Sequence, residues 1–137
     1  MILELNEKDK NGNYHFILAC NHNNIEMIKI LIDYFNKNNI ILELNEKENN
    51  GFYPLLLACD RNNIKTIELL IDYSNKNDIV LKLNEKNENG FYPFLLACNY
   101  NNIEMIKLLI DYAIENNIIL ELNEKEKNGF YPILLAF

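Results

Sequence analysis

Apolar residues recur along the chain in two alternating patterns, separated by asparagines. The first is a short solid block, Leu55-Leu56-Leu57-Ala58-Cys59, opened by Pro54 and followed by Asn62-Asn63. Proline suits the first helical position, where its missing N–H costs nothing, so the block predicts a short helix starting near Pro54. Asn62-Asn63 suits the left-handed conformation that ends helices. The second pattern runs from Ile64 to about Asn75, with Ile64, Ile67, Leu70, Ile71 and the position of Ser74 at helical spacing. Leu69 and Tyr73 widen its apolar face, as expected for a longer helix packed between neighbours. Ile79-Val80-Leu81-Lys82-Leu83-Asn84 then alternates apolar and polar between Asn-rich turns and reads as an extended connector.

This unit is repeated. Leu3-Glu4-Leu5-Asn6-Glu7-Lys8 recurs at 42–47, at 81–86 with Lys82 in place of Glu, and at 120–125, each time after 39 residues. Asn50-Gly51-Phe52-Tyr53-Pro54 returns at 89–93 and 128–132, and in weaker form as Asn11-Gly12-Asn13-Tyr14-His15. The units run 11–49, 50–88 and 89–127, flanked by partial units 1–10 and 128–137, and together they make one repeat domain over 1–137. The first and third units are identical at 30 of 39 positions, far beyond what composition produces.

Gly51, Pro54, Leu55 and Ala58, then Ile67, Leu70 and Ile71, then Leu83-Asn84 before the next turn, fall in the order of an ankyrin repeat, and the chain resembles that family over essentially its whole length. The resemblance implies an all-α fold: an α-solenoid of stacked helix-turn-helix repeats with extended connectors and turn fingers. It departs from the family pattern at identifiable places. Tyr53, Tyr92 and Tyr131 replace the usual Thr, and Leu56, Leu95 and Leu134 the usual His, so the short helices lack their usual side-chain cap. Packing, with tyrosine columns as a substitute, has to hold them. Asn23, Asn62 and Asn101 replace the glycine between the helices, and the period exceeds the usual length of about 33.

Composition narrows the function. With 13 basic against 20 acidic residues, the net charge of -7 disfavours nucleic acid and anionic membranes as partners. No basic stripe, signal peptide or apolar run of membrane-spanning length is present, which favours a soluble chain. Cys20, Cys59 and Cys98 occupy one equivalent position per unit, so stacking separates them by roughly 8–10 Å, more than the ~4.4–6.8 Å that a disulfide spans. Reduced thiols point to a cytoplasmic setting. Two histidines, His15 and His22, are too few for a zinc site, and four lone turn glycines make no phosphate loop. The reading is therefore no enzyme, no cofactor and no metal. Most of the 26 asparagines occupy the same few helix-ending and turn slots in each unit, so they are structural signals and not a low-complexity tract.

The resemblance implies a protein partner, bound on the concave face and turn tips. The tips are Asp9-Lys10, Glu48-Asn49, Asn87-Glu88 and Glu126-Lys127. Beside the first helices, the column His22, Arg61, Tyr100 changes chemistry at every unit, next to Asn21, Asp60 and Asn99. Arg and Tyr are typical interface anchors. Three further columns alternate in sign: Glu26, Lys65, Glu104; Lys29, Glu68, Lys107; and Glu43, Lys82, Glu121, which predicts attraction between successive units. The apolar end Ile133-Leu134-Leu135-Ala136-Phe137 points to a segment of a longer array or to pairing with another chain, so the expected state is a monomer or weak end-to-end self-association through this half repeat. The alternative function is a structural spacer in such an array, with no ligand on this stretch.

Overall fold

The Asn-Asn pair inside each unit ends one helix and starts the next. Asn23, Asn62 and Asn101 take positive φ of 56°, 54° and 52°, the left-handed geometry that asparagine tolerates better than most residues. The following Asn24, Asn63 and Asn102 cap the longer helices, their side chains accepting the amides of Met27, Thr66 and Met105 at 3.0, 3.2 and 3.1 Å.

The computed structural model describes residues 6–10 and 14–121, and shows six helices. They are α1 (His15–Asn21), α2 (Ile25–Lys37), α3 (Pro54–Asp60), α4 (Ile64–Lys76), α5 (Pro93–Asn99) and α6 (Ile103–Glu115). Each short helix has seven residues and each long one thirteen. Among the described residues there is no strand. The apolar C-terminal end, the tip Glu126-Lys127 and the partial unit 128–137 lie outside the described residues.

The short helices stack α1 on α3 on α5, and the long ones α2 on α4 on α6, each pair of one unit forming a hairpin. Seven residues cannot hold a helix alone in water. Burial supplies the stability: Pro54 to Cys59 and Pro93 to Cys98 are buried without exception. Tyr14, Tyr53 and Tyr92 stand at the N-caps of the short helices and make no side-chain cap bond. Instead the Tyr14 and Tyr53 hydroxyls donate to the carbonyls of Glu46 and Glu85 in the return connector of the same 39-residue unit, at 2.9 and 2.8 Å. The tyrosine thus trades a local cap for a bond to the connector that closes its own unit.

The long helices close on Asn38, Asn77 and Asn116, whose Nδ2 groups donate to the carbonyls of Tyr34, Tyr73 and Tyr112 four residues back. Asn39, Asp78 and Asn117 follow with φ of 53°, 55° and 57°, turning the chain into the connector. The connectors are irregular, with their inner residues Leu42, Leu44, Leu81 and Leu83 buried. The charge columns behave differently from the sequence expectation. None of the three forms an ion pair within 4 Å among the described residues; pairs between units include Lys8 with Glu46 at 2.6 Å and Lys47 with Glu85 at 2.8 Å. The alternating columns lie on exposed positions whose side chains do not meet, so their attraction is screened.

Candidate functional site

Among the described residues two complete fingers project beside the short helices. In the first, the Glu48 amide donates to the Phe52 carbonyl at 2.8 Å, the Gly51 amide to the Glu48 carbonyl at 2.9 Å, and the Phe52 amide to Glu48 Oε1 at 2.9 Å. In the second, Asn87 plays the part of Glu48, its Oδ1 accepting the amides of Asn89 and Phe91 at 3.0 Å each. Adjacent fingers are tied together: Glu88 N–H donates to the Asn50 carbonyl at 2.9 Å, and Asn49 Nδ2 to the Lys10 carbonyl at 3.1 Å.

Between the first of these fingers and the C-terminal ends of α1 and α3 lies a cavity of about 230 Å³. Its lining combines the apolar Ile17, Leu57 and Phe52 with the polar Asn21, Glu48, Asn50, Asp60 and Arg61. The fold therefore brings together residues from the two groups that the sequence singled out: the tip residue Glu48 with the helix-end residues Asn21, Asp60 and Arg61. An apolar patch with polar groups around it is the usual anatomy of a recognition cleft.

The remaining candidates are placed as follows. His22, Arg61 and Tyr100 are the C-caps of α1, α3 and α5 and are all exposed. Arg61 Nη2 donates to Asn21 Oδ1 at 2.8 Å, and the Tyr100 hydroxyl to the Asp60 carbonyl at 2.5 Å, so each reaches back to the preceding unit. Partial burial and the Asp60 carboxylate raise the Tyr100 phenol above its ordinary pKa, with Arg61 opposing. Asn99 is exposed at the end of α5, and Asp9, Lys10, Asn49 and Glu88 are exposed on the tips. Asn87 is buried, and its Oδ1 is used inside its own turn.

Of the floor, the sequence singles out Phe52 alone, as a member of the candidate stripe Phe52, Phe91 and Phe130 whose favoured reading is packing against the neighbouring turn; Ile17 and Leu57 read as ordinary core positions of short helices. Leu57 shares its 39-residue column with Leu18, and a leucine at both positions carries no sequence signal that would mark it as part of a cleft.

The three cysteines are buried and free. Burial pushes the Cys20 and Cys59 thiols far above their ordinary pKa, and that of Cys98 upward, which makes them poor nucleophiles. Among the described residues no three His, Cys, Asp or Glu side chains gather as a metal site, and no helix is long and apolar enough to cross a membrane.

Comparison with known proteins agrees with this architecture. A family model for ankyrin repeats (3 copies) matches residues 1–82, and one for ankyrin repeats (many copies) matches residues 55–110. No curated protein matches the chain. Among solved structures, the crystal structure of an ankyrin repeat domain from Acinetobacter baumannii AYE is similar with a TM-score of 0.74 at 19% identity. The match covers 99% of this chain and 60% of that one. With six helices in two stacked layers and a family match over more than half its length, the chain belongs to the ankyrin repeat family.

Proposed function

We infer that the chain is a non-catalytic scaffold that binds a protein partner in the cleft between its fingers and short helices. Ankyrin repeats generally serve protein–protein interaction, and the observation that supports the reading here is the cavity that joins Glu48 to Asn21, Asp60 and Arg61 over an apolar floor. The cleft offers hydrogen-bonding groups of both kinds and a net negative rim, suited to a segment that carries an apolar side chain beside a basic one. The buried thiols fit a cytoplasmic setting.

A second reading, a spacer within a longer array, has its own support. Arg61 and Tyr100 spend their polar groups on the preceding unit, as stacking elements would. The two readings separate in a pulldown from native lysate with the wild-type chain and a His22/Arg61/Tyr100 triple alanine variant, with melting measured alongside. A partner retained by wild type and lost by a still-folded variant supports the scaffold. Retention of the same partner by both defeats the site, and retention by neither supports the spacer.

A further inference from the structure

The finger turns carry a reactive pair of residues. Asn50 precedes Gly51 and Asn89 precedes Gly90, and both asparagines are exposed. An asparagine side chain followed by glycine is open to attack by the next backbone nitrogen, because no Cβ shields that nitrogen. Two conditions have to be met. The glycine N–H must be free to give up its proton, and the asparagine Cα–C bond must rotate to bring the nitrogen to Cγ. In the first finger the fold denies both. Gly51 N–H donates to the Glu48 carbonyl at 2.9 Å, and the Asn50 carbonyl, which would swing with that rotation, accepts Glu88 N–H at 2.9 Å. The neighbouring finger also leaves little room for the swing, since a Cβ built on Gly51 would lie 2.8 Å from Asn87 Cα. The last two restraints come from the next unit, so the reactivity of Asn50 depends on how firmly that unit's finger is docked.

We propose that Asn50 is a site of spontaneous deamidation gated by the finger of the next unit. When that finger lifts, hydroxide takes the Gly51 amide proton and the Gly51 nitrogen attacks Asn50 Cγ. The new C–N bond closes a cyclic imide, the Cγ–Nδ2 bond breaks, and Nδ2 leaves as ammonia with a proton from water. A further water opens the imide at either carbonyl, giving aspartate or isoaspartate; nothing is oxidised or reduced. The rate in the folded chain is the rate in the open finger multiplied by the fraction of time it is open. The product has consequences because Asn50 lines the cleft together with Glu48, Asp60 and Arg61, so either product adds a carboxylate to those of Glu48 and Asp60. Isoaspartate also lengthens the backbone where Gly51 meets the Asn87 backbone, which keeps the finger from closing again. The site itself rests on the turn and not on what the cleft binds.

The test is peptide mapping by mass spectrometry of the full chain aged in mildly alkaline buffer, native and in guanidinium chloride, with Asn89 as the internal control. Asn50 is expected to deamidate several-fold more slowly in the native chain than in the denatured one. Glu88→Pro removes the N–H that holds the Asn50 carbonyl. Glu88 is the second residue of the turn that Gly90 N–H closes on the Asn87 carbonyl, and neither Glu88 nor Asn89 has positive φ, so the fixed φ of proline suits the position. With circular dichroism unchanged, this variant should deamidate at Asn50 several-fold faster than wild type and at Asn89 no faster. Glu88→Ala keeps the N–H and should match wild type at both. Equal Asn50 rates in the native and denatured wild-type chain overturn the proposal, and that comparison needs no variant. So does a folded Glu88→Pro chain whose Asn50 rate is unchanged, or one in which Asn50 and Asn89 accelerate together.

Discussion

Asn102 Nδ2 donates to Asn62 Oδ1 at 2.7 Å across the boundary between two units, while Asn102 Oδ1 caps α6 by accepting the Met105 amide at 3.1 Å. Asn63 repeats the arrangement with Asn23 and Thr66. One amide therefore starts a helix with its oxygen and joins two repeats with its nitrogen; Asp lacks the donor, and Ser has a single shorter oxygen for both tasks. Asn102→Ser keeps a capping oxygen and loses the bond between units, so it should lower stability by about 1 kcal/mol. Asn102→Ala loses both, and about 2 kcal/mol is expected. Urea midpoints that are equal for the two variants would show that the capping oxygen carries nothing.

Tyr112 serves as a buried acceptor. Its hydroxyl receives the Leu81 amide at 2.9 Å and lies 3.2 Å from Ser74 Oγ, and Tyr73 receives the Leu42 amide in the same way, also at 2.9 Å. Tyr112→Phe leaves the buried Leu81 N–H without its acceptor, at a penalty of about 1–3 kcal/mol. Tyr73→Phe should behave alike. Amide hydrogen exchange at Leu81 should accelerate in Tyr112→Phe more than at residues of α1, and uniform acceleration along the chain would count against a local origin.

The sequence revealed each of the six described helices, because period and punctuation coincide: Pro54 and Pro93 open helices, and paired asparagines follow their ends. It did not reveal what joins the units. Reading down columns compares residues 39 apart, whereas the bonds run along diagonals. Lys47 reaches Glu85, 38 positions on; Asn45 grips the Val80 carbonyl and the Lys82 amide, 35 and 37 on; Arg61 reaches Asn21, 40 back. These offsets depend on where the connector lies against its neighbour, a three-dimensional fact that periodicity does not carry. For the same reason the alternating columns were visible in sequence and yet are not where the ion pairs form. In the cleft, the polar residues were legible as variable or tip positions, while the floor was hidden among core leucines.

Lys47 donates to Glu85 and attracts its carboxylate, which holds the Glu85 pKa below the ordinary value despite a small opposing effect of burial. A carboxylate depressed by folding contributes stability above its unfolded pKa, and the contribution disappears as pH falls through the folded one. Both side chains are more than a third exposed, so solvent screening limits the pair to a few tenths of a kcal/mol. Glu85→Gln should therefore lower the melting temperature slightly at neutral pH and not at all at strongly acid pH, and the difference should shrink with added salt. A variant penalty that grows on acidification would refute the assignment.

Gly51 has φ of +86°, and a Cβ there would sit 2.8 Å from the Asn87 Cα of the next finger. The finger thus needs glycine twice, for its own turn and for the approach of its neighbour. Gly51→Ala should cost at least about 2 kcal/mol, from left-handed strain together with displaced backbone. The Glu88 amide, bonded to the Asn50 carbonyl, should lose exchange protection first.

Thr66 offers the opposite opportunity. It stands on α4 where α2 and α6 have Met27 and Met105, is 1% exposed, and its Oγ1 finds no hydrogen-bond partner among the described residues. Its backbone amide is already held by Asn63, so the hydroxyl contributes nothing to the cap. An unsatisfied buried hydroxyl destabilises by about 1–3 kcal/mol. Thr66→Val removes it while keeping the β-branched shape and nearly the same volume, so packing and rotamer change little. The variant should gain roughly 1 kcal/mol, seen as a higher urea midpoint with an unchanged slope. A lower midpoint would mean that the hydroxyl is satisfied in solution, and Thr66→Ser would then tell the two cases apart by keeping the hydroxyl and losing only the methyl group.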